Sequence, residues 1–509
     1  MRNANERLTG RWRDICLLAL VVTSVAALQA QNTPASPQAV QFQVLADFDG
    51  TDGSGPGADL QAVMQGPDGN LYGAAEGGGA YNNGVIFKLT PEGTLTTLYS
   101  FCPQPDCADG QYPGTPVLGP DGAFYGTTGY YGAFNAGTFF RLTLEGELTT
   151  LYNFPNGSYN RGITLGIDGN FYGTTASGGA NGQGTVFKVT PDGHLTTLYS
   201  FCSQPNCNDG SSPGAPVIQG ADGNLYGTCQ FGGPTNAGTV FSVRPTGQLR
   251  WVYRLCLQES CLDGFYPTGE LVQAPDGNIY GTTGAGGTYD GRRPGGNLGG
   301  VVFKITTAGD LTPIYSFCAQ QTTNCPDGYY PNGVVEGTDG SLYGTTNGGG
   351  VNSCYMLTLE AGCGTIFKVT AGGTLTTLHS FDGTDGEDSL AGLTQNTNGT
   401  FYGAASEGGT NMCFVSCGTA YVLSTGLGPF IETVPAGGTV GETIQILGNN
   451  LTGATNVSFN GRAAWFTVES ETLIQAIVPA GAITGFVMVA GPSGTLTSNT
   501  RFVVRKVRE

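Results

Sequence analysis

One short phrase recurs seven times along the 509-residue chain: Asp-Gly-Asn or a close variant, an apolar residue, then Tyr-Gly. It first reads Asp68-Gly69-Asn70-Leu71-Tyr72-Gly73 and last reads Asn398-Gly399-Thr400-Phe401-Tyr402-Gly403. Between them lie copies around Tyr125, Tyr172, Tyr226, Tyr280 and Tyr343. The tyrosines stand 53, 47, 54, 54, 63 and 59 residues apart. A period of this length marks a repeat architecture, in which each unit buries its apolar face only against its neighbours.

The fourth unit shows the internal pattern. Pro213 to Gln219 alternates apolar residues and ends at Asp222-Gly223, a pair that supplies the positive φ of a tight turn. Asn224 to Thr228, Gly238 to Val243 and Gln248 to Leu255 follow as three further strands, short and rich in β-branched and aromatic residues. Glycine is abundant, 86 residues, but clusters at turns without a Gly-X-Y period. No stretch after the first thirty residues has a helical period. Four antiparallel strands per unit in seven units predict an all-β chain, a seven-bladed β-propeller over 40–427. Phe42 to Phe48 matches the fourth-strand phrase, and the last unit lacks such a strand, so the N-terminal strand is expected to close the last blade. The repeated Tyr is read as scaffold: a ring packed between blades and a hydroxyl needing one partner.

Residues 1–30 read as a signal peptide. Arg2, Arg7, Arg11 and Arg13 precede a largely apolar run of 14 residues from Ile15 to Leu28, short for a membrane span. Residues 31–39 form a linker. Export predicts oxidised cysteines, and they fall in close pairs: Cys102/Cys107, Cys202/Cys207, Cys256/Cys261, Cys318/Cys325, Cys354/Cys363 and Cys413/Cys417. Cys229 is left over, either buried and free or paired with a neighbouring loop. The net charge of -18 with only 11% charged residues excludes a nucleic-acid footprint, and no later stretch is apolar enough to span a bilayer.

Alternate connections of antiparallel strands gather on opposite faces. The Asp-Gly turns fall on one; the long loops and most cysteines fall on the other, where binding is expected. Tyr81, Tyr130, Tyr131, Phe134, Phe231 and Tyr289 lie in these loops with Asn83, Arg292 and Arg293. Aromatic faces beside amides suit a sugar or a peptide. Aspartates in the inter-blade loops, such as Asp109, Asp209, Asp263 and Asp327, are read as turn residues, with calcium ligation as the alternative. No other cofactor and no metal site is expected. Only two histidines occur, His194 and His379, and no nucleophile elbow, phosphate loop or His-Glu-x-x-His is present. The chain is therefore read as no enzyme, with channel carboxylates acting on polysaccharide as the alternative.

After Leu427 the pattern changes. Gly441 to Gly448, Val457 to Gly461, Ile477 to Ala482 and Phe502 to Val504 are short strands with glycine turns. These phrases resemble the IPT/TIG family of immunoglobulin-like domains, which implies a β-sandwich over 428–509 acting as a spacer or interaction module. The repeats, through the Tyr-Gly motif and strands such as Gly184-Thr185-Val186-Phe187-Lys188 and Leu195 to Phe201, are similar to the GloVer repeats of exported bacterial choice-of-anchor proteins. That resemblance implies an envelope or secreted location and no established activity. The chain ends Arg501 to Glu509 with no apolar anchor or sorting tail. The expectation is a secreted or cell-surface monomer (a periplasmic one as the variant) that binds polysaccharide or protein, or else a structural envelope component.

Overall fold

Seven antiparallel sheets of four or five strands carry the repeats, and two further four-stranded sheets with a two-stranded parallel pair follow them. The computed structural model describes residues 40–57, 63–155, 158–258, 260–288, 299–319, 325–356, 359–411 and 417–506. Among these the one helical element is a single 3-10 turn, Pro205–Cys207. Sheet 3 is representative: Asn160–Leu165, Phe171–Thr175, Thr185–Val189 and Leu195–Ser200 pair in chain order. Sheet 7 differs. Its outermost strand is Gln41–Asp47, paired antiparallel with Thr419–Ser424 so that Gln41 faces Ser424 and Asp47 faces Thr419.

The recurring phrase encodes packing between sheets. Each Tyr side chain is buried against the apolar residue that precedes the next Tyr. Tyr72 lies 4.3 Å from Phe124, Tyr125 lies 4.5 Å from Phe171 and Tyr343 lies 4.2 Å from Phe401, measured between ring centroids. Tyr172 shares a buried cluster with Leu225, Tyr226 with Ile279 and Tyr280 with Leu342. Tyr402 returns to Leu71 in the first sheet. Burying rings of this size is worth roughly 2–3 kcal/mol each.

The hydroxyl of each of the first six Tyr goes to the Asp of its own turn, whereas the Tyr402 hydroxyl accepts from Asn398 Nδ2 at 3.2 Å. Tyr72 donates to Asp68 at 2.9 Å, and Lys88 Nζ reaches the same carboxylate at 2.7 Å. Tyr172, Asp168 and Lys188 repeat the arrangement, as do Tyr343, Asp339 and Lys368, while Arg141 replaces the Lys beside Asp121. Burial would raise the Asp68 carboxyl, but hydrogen bonds from Lys88, Asn70 and Tyr72 hold it below its ordinary value.

Glycines set the distance between sheets. A methyl group on Gly84 would lie 2.5 Å from Pro113, on Gly184 2.5 Å from Pro213 and on Gly238 2.6 Å from Pro267. The same contact joins the last sheet to the first: at Gly418, with φ +81°, it would lie 2.6 Å from Pro56 and 2.4 Å from the Ala405 carbonyl oxygen. Thr394 Oγ1 donates to the Val63 carbonyl at 2.5 Å across that junction.

The C-terminal sheets enclose their own core of Ile431, Ile444, Ile446, Val457, Phe459, Ile474, Val487 and Phe502. They are not held away from the repeats, as a spacer would be. Val434 and Leu447 share a buried cluster with Tyr72, Leu118 and Phe124, and Leu473 packs against it. Gln445 Nε2 donates to the carbonyls of Gly119 and Pro120 at 3.1 and 2.9 Å. Thr472 Oγ1 donates to the Pro67 carbonyl at 2.8 Å, and Asn449 Nδ2 to Thr397 Oγ1 at 2.6 Å. The segment thus caps Asp-Gly turns and the residues beside them.

Candidate functional site

At the other end of the second strands, each long inter-sheet loop is built around one carboxylate. Tyr99 donates its hydroxyl to Asp109 at 2.9 Å, and the Cys102 amide donates to the same side chain at 3.0 Å. Asp209 accepts from Tyr199 at 2.7 Å, Asp263 from Tyr253 at 3.0 Å and Asp327 from Tyr315 at 2.9 Å. In the sixth sheet His379 takes the place of Tyr, bonds Asp385 at 2.8 Å and stacks on Phe42. These carboxylates hold their own loops together, which accounts for their recurrence. Among the described residues no group of His, Cys, Asp and Glu side chains converges as metal donors.

Among the described residues five disulfides pin the loops: Cys102–Cys107, Cys202–Cys207, Cys256–Cys261, Cys318–Cys325 and Cys354–Cys363. Cys417 is disulfide-bonded, while Cys413 lies outside the described residues. Cys229 is free and buried.

The loop tips carry exposed aromatics. Tyr81 is 48% exposed, Tyr130 38%, Tyr131 43% and Phe134 55%. Tyr130 ends the second strand of sheet 2, Phe124–Tyr130, and Tyr131 and Phe134 follow it in the loop, with Tyr81 in the matching loop of sheet 1. Asn83 turns back on its own loop, its Nδ2 donating to the Tyr81 carbonyl at 2.8 Å. Phe231 is half-buried and meets Tyr266 edge-on at 5.5 Å. Tyr289, Arg292 and Arg293 lie outside the described residues.

Three further rings join these and were missed by reading loops alone. Tyr112, Tyr266 and Tyr330 each sit between a Gly-x pair and a Pro, in a left-handed backbone with φ of 56°, 55° and 53°. Ser212 and Asp388 take the same conformation in sheets 4 and 7. A β-carbon is unfavourable there, so five such outliers at equivalent positions mark a place where side chains are deliberately set. The signal was present in the repeated Asp-Gly-x-Tyr-Pro phrase, as in Asp109 to Pro113. Tyr130 meets Tyr112 edge-on at 5.5 Å and Tyr159 at 4.9 Å, and the Arg161 guanidinium covers the Tyr159 ring at 5.2 Å. Burial and then Glu407 and Glu387 raise the Asp388 carboxyl to about 6.

Residues at or beside one edge of each of the seven sheets meet the C-terminal sheets around a cavity of about 410 Å³. Gln65, Leu118, Leu165, Ile218, Leu271, Val334 and Leu393 line it from the seven sheets, and Glu432, Val434 and Leu447 from the cap. Glu336 also lines it; burial, with Asp276 and Asp339 nearby, raises its carboxyl to about 7.

Repeated four-stranded sheets with a capping immunoglobulin-like sandwich define the class of fold. The chain belongs to the Gloeobacter/Verrucomicrobia repeat family, which matches residues 33–206, 156–358 and 291–456. An IPT/TIG domain matches residues 429–504. No curated protein matches the chain. Among solved structures it is similar to a streptogramin B lyase, 17% identical with a TM-score of 0.48, over 76% of this chain and 97% of that one. It is also similar to virginiamycin B lyase from Staphylococcus aureus, 15% identical with a TM-score of 0.48, over 76% and 99% of the two chains. A puromycin hydrolase is 15% identical with a TM-score of 0.38, over 69% of this chain and 48% of that one. None of these likenesses bears on the chemistry of this chain.

Proposed function

We propose that the seven sheets close into a seven-bladed β-propeller over 40–427, with the TIG domain from 428 as its cap, and that the exported protein binds glycan through its loop face without turning it over. The contacts of Tyr402 with Leu71 and of Gly418 with Pro56 support closure. The five disulfides among the described residues support a place outside the cytoplasm. The observation that carries the binding role is the group of exposed rings on pinned loops. Tyr130 stands edge-on between Tyr112 and Tyr159, beside Tyr131 and Phe134. Aromatic faces cover the apolar C–H surface of a sugar, and rigid loops lower the entropy lost on binding.

The raised Asp388 and Glu336 carboxyls favour a second reading, a polysaccharide-active enzyme, because a carboxyl near neutral pKa serves as a general acid. One experiment separates them. The purified protein is incubated with soluble and insoluble polysaccharides, and both retention and new sugar ends are recorded. Retention without new ends, reduced at least tenfold in a Tyr130→Ala/Tyr131→Ala variant, is the expected result. New ends in proportion to protein establish the enzyme instead.

A further inference from the structure

One sheet of the C-terminal domain is covered on only half of its outer face. Its strands lie in the spatial order Glu432–Val434, Thr443–Leu447, Leu473–Ile477 and Phe466–Val468. Side chains alternate between faces along a strand, and those opposite one another on neighbouring strands share a face. Ile444, Ile446, Ile474 and Ala476 belong to the domain's own core, with Phe466 and Val468 packed against it, so the residues between them point away. The register sets these outward residues in rows. Leu447 stands opposite Leu473, and Gln445 opposite Gln475, which also faces Thr467. Thr443 stands opposite Ile477, whose amide donates to the Trp465 carbonyl at 2.9 Å. Leu447 and Leu473 are taken up by the repeats, and Gln445 by the carbonyls of Gly119 and Pro120. The rest of the face is open: Thr443, Thr467 and Gln475 are exposed, with Ile477 at 42% and Trp465 at 86%. Trp251, by contrast, is half-buried and donates its indole N–H to the Thr307 carbonyl at 3.0 Å.

We propose that this open half-face binds a neutral polysaccharide, with the Trp465 indole on the C–H face of a sugar ring and Gln475 and Thr467 bonding hydroxyls alongside. Its exposed residues supply an aromatic ring, an aliphatic side chain, an amide and two hydroxyls, and none carries a charge, in a chain whose net charge is -18. That set matches a sugar, which presents an apolar face rimmed by hydroxyls, and gives a charged ligand no counter-ion. Strands lie about 4.8 Å apart and successive outward residues about 7 Å, so three strands by two rows span about 10 by 7 Å. That footprint suits one or two sugar rings. It is a small fraction of the roughly 800 Å² that each partner buries in a stable protein complex, which argues against a second copy or another protein as the occupant. The face is continuous with the interface between the domain and the repeats, so it is held on packed strands, and a rigid site loses less entropy on binding. It lies on a different domain from the exposed loop rings, and the inference does not rest on their binding glycan.

The test is acrylamide quenching of indole fluorescence in the purified full chain. Mixed-linkage β-glucan, xyloglucan, galactomannan and amylose are the neutral probes, and polygalacturonate is the anionic one. The difference between the unaltered protein and Trp465→Ala isolates the signal of Trp465. The expected result is that at least one neutral polymer shields Trp465 at least twofold and that polygalacturonate does not. The shielding is expected to persist in the Tyr130→Ala/Tyr131→Ala variant, so a failure of the loop rings to bind glycan leaves it untouched. A Thr467→Ala/Gln475→Ala variant, altered only at exposed positions, is expected to need at least tenfold more polymer for half-maximal shielding. No shielding by any neutral polymer, equal shielding by polygalacturonate, or unchanged half-saturation in the Thr467→Ala/Gln475→Ala variant overturns the proposal. Loss of shielding in the Tyr130→Ala/Tyr131→Ala variant also overturns it, by placing the binding at the loop rings. So does shielding that rises with protein concentration in the absence of polymer, which assigns the face to a second copy.

Discussion

The two ends of the second strands use the same pair of residues for different ends. At the turn end Tyr72 bonds Asp68 with Lys88 alongside, and the cap covers neighbouring turns. At the loop end Tyr99 bonds Asp109, a backbone amide replaces the cation, and exposed rings stand above. The chemistry of the pair does not distinguish the covered end from the open one. What covers it does: apolar and polar contacts from the cap close one end, while the other keeps tyrosines at its surface.

The sharpest way to break this picture is at the seam between the last sheet and the first. Gly418→Ala places a methyl against Pro56 and the Ala405 carbonyl at φ +81°, and is expected to cost about 3 kcal/mol or more. Gly223→Ala, at φ +79° with open space around it, is expected to cost about 1 kcal/mol. Thermal unfolding of both variants measures the difference, and equal losses would show that the seam is not closed.

Leu447→Ala empties part of the cluster shared by cap and repeats, at an expected cost of about 2–4 kcal/mol. Trp465→Ala, at a side chain 86% exposed on the same domain, is expected to cost under about 0.5 kcal/mol. Denaturant melts followed by both near-ultraviolet and far-ultraviolet signals read the two, and similar losses would mean the cap is only tethered.

On the loop side, replacing Cys202 and Cys207 together by serine frees a loop with a sequence separation of 5 and is expected to cost about 2 kcal/mol. The same variant should weaken polysaccharide retention less than Tyr130→Ala/Tyr131→Ala, because those rings lie in another loop. A stronger effect on retention than on melting would extend the binding surface to sheet 4.

The last effect concerns pH. Glu336 is raised from an ordinary value of 4.5 to about 7 in the folded protein. The folded state holds this proton more tightly than the unfolded one, so the associated stability is full below pH 4.5 and is lost as pH rises through about 7. Glu336→Gln is expected to flatten that fall. Asp388→Asn should do the same on the loop side between pH 3.8 and about 6. Chemical denaturation across this range gives the slopes, and an unchanged slope would show the carboxyl to be well solvated.

Much of the scaffold was legible because it repeats. The apolar residue before each Tyr, the turn Asp-Gly and the strand alternation state local needs that recur unit by unit. The docking of the cap was not legible, since Gln445, Leu447 and Thr472 sit on ordinary strand and turn positions that do not reveal which surface they meet. The loop aromatics were found by type, but Asn83 and Phe231 turned inward because their own loops offered partners. Tyr112 and Tyr266 were missed because a left-handed tyrosine is read from backbone geometry, and the Pro after it was the one clue.

The placement of Gln41–Asp47 in the last sheet has a consequence for how the chain is made. Its partner strand, Thr419–Ser424, emerges only after every other repeat. The earliest strand must therefore wait unpaired through nearly all of synthesis or translocation. The cysteine pairs face no such delay, being separated by 5, 5, 5, 7 and 9 residues. Each finds its mate as soon as its loop is out, before a cysteine from another unit can compete. Proofreading of the thiols is thus local, and the final knot is tied by the first strand to arrive.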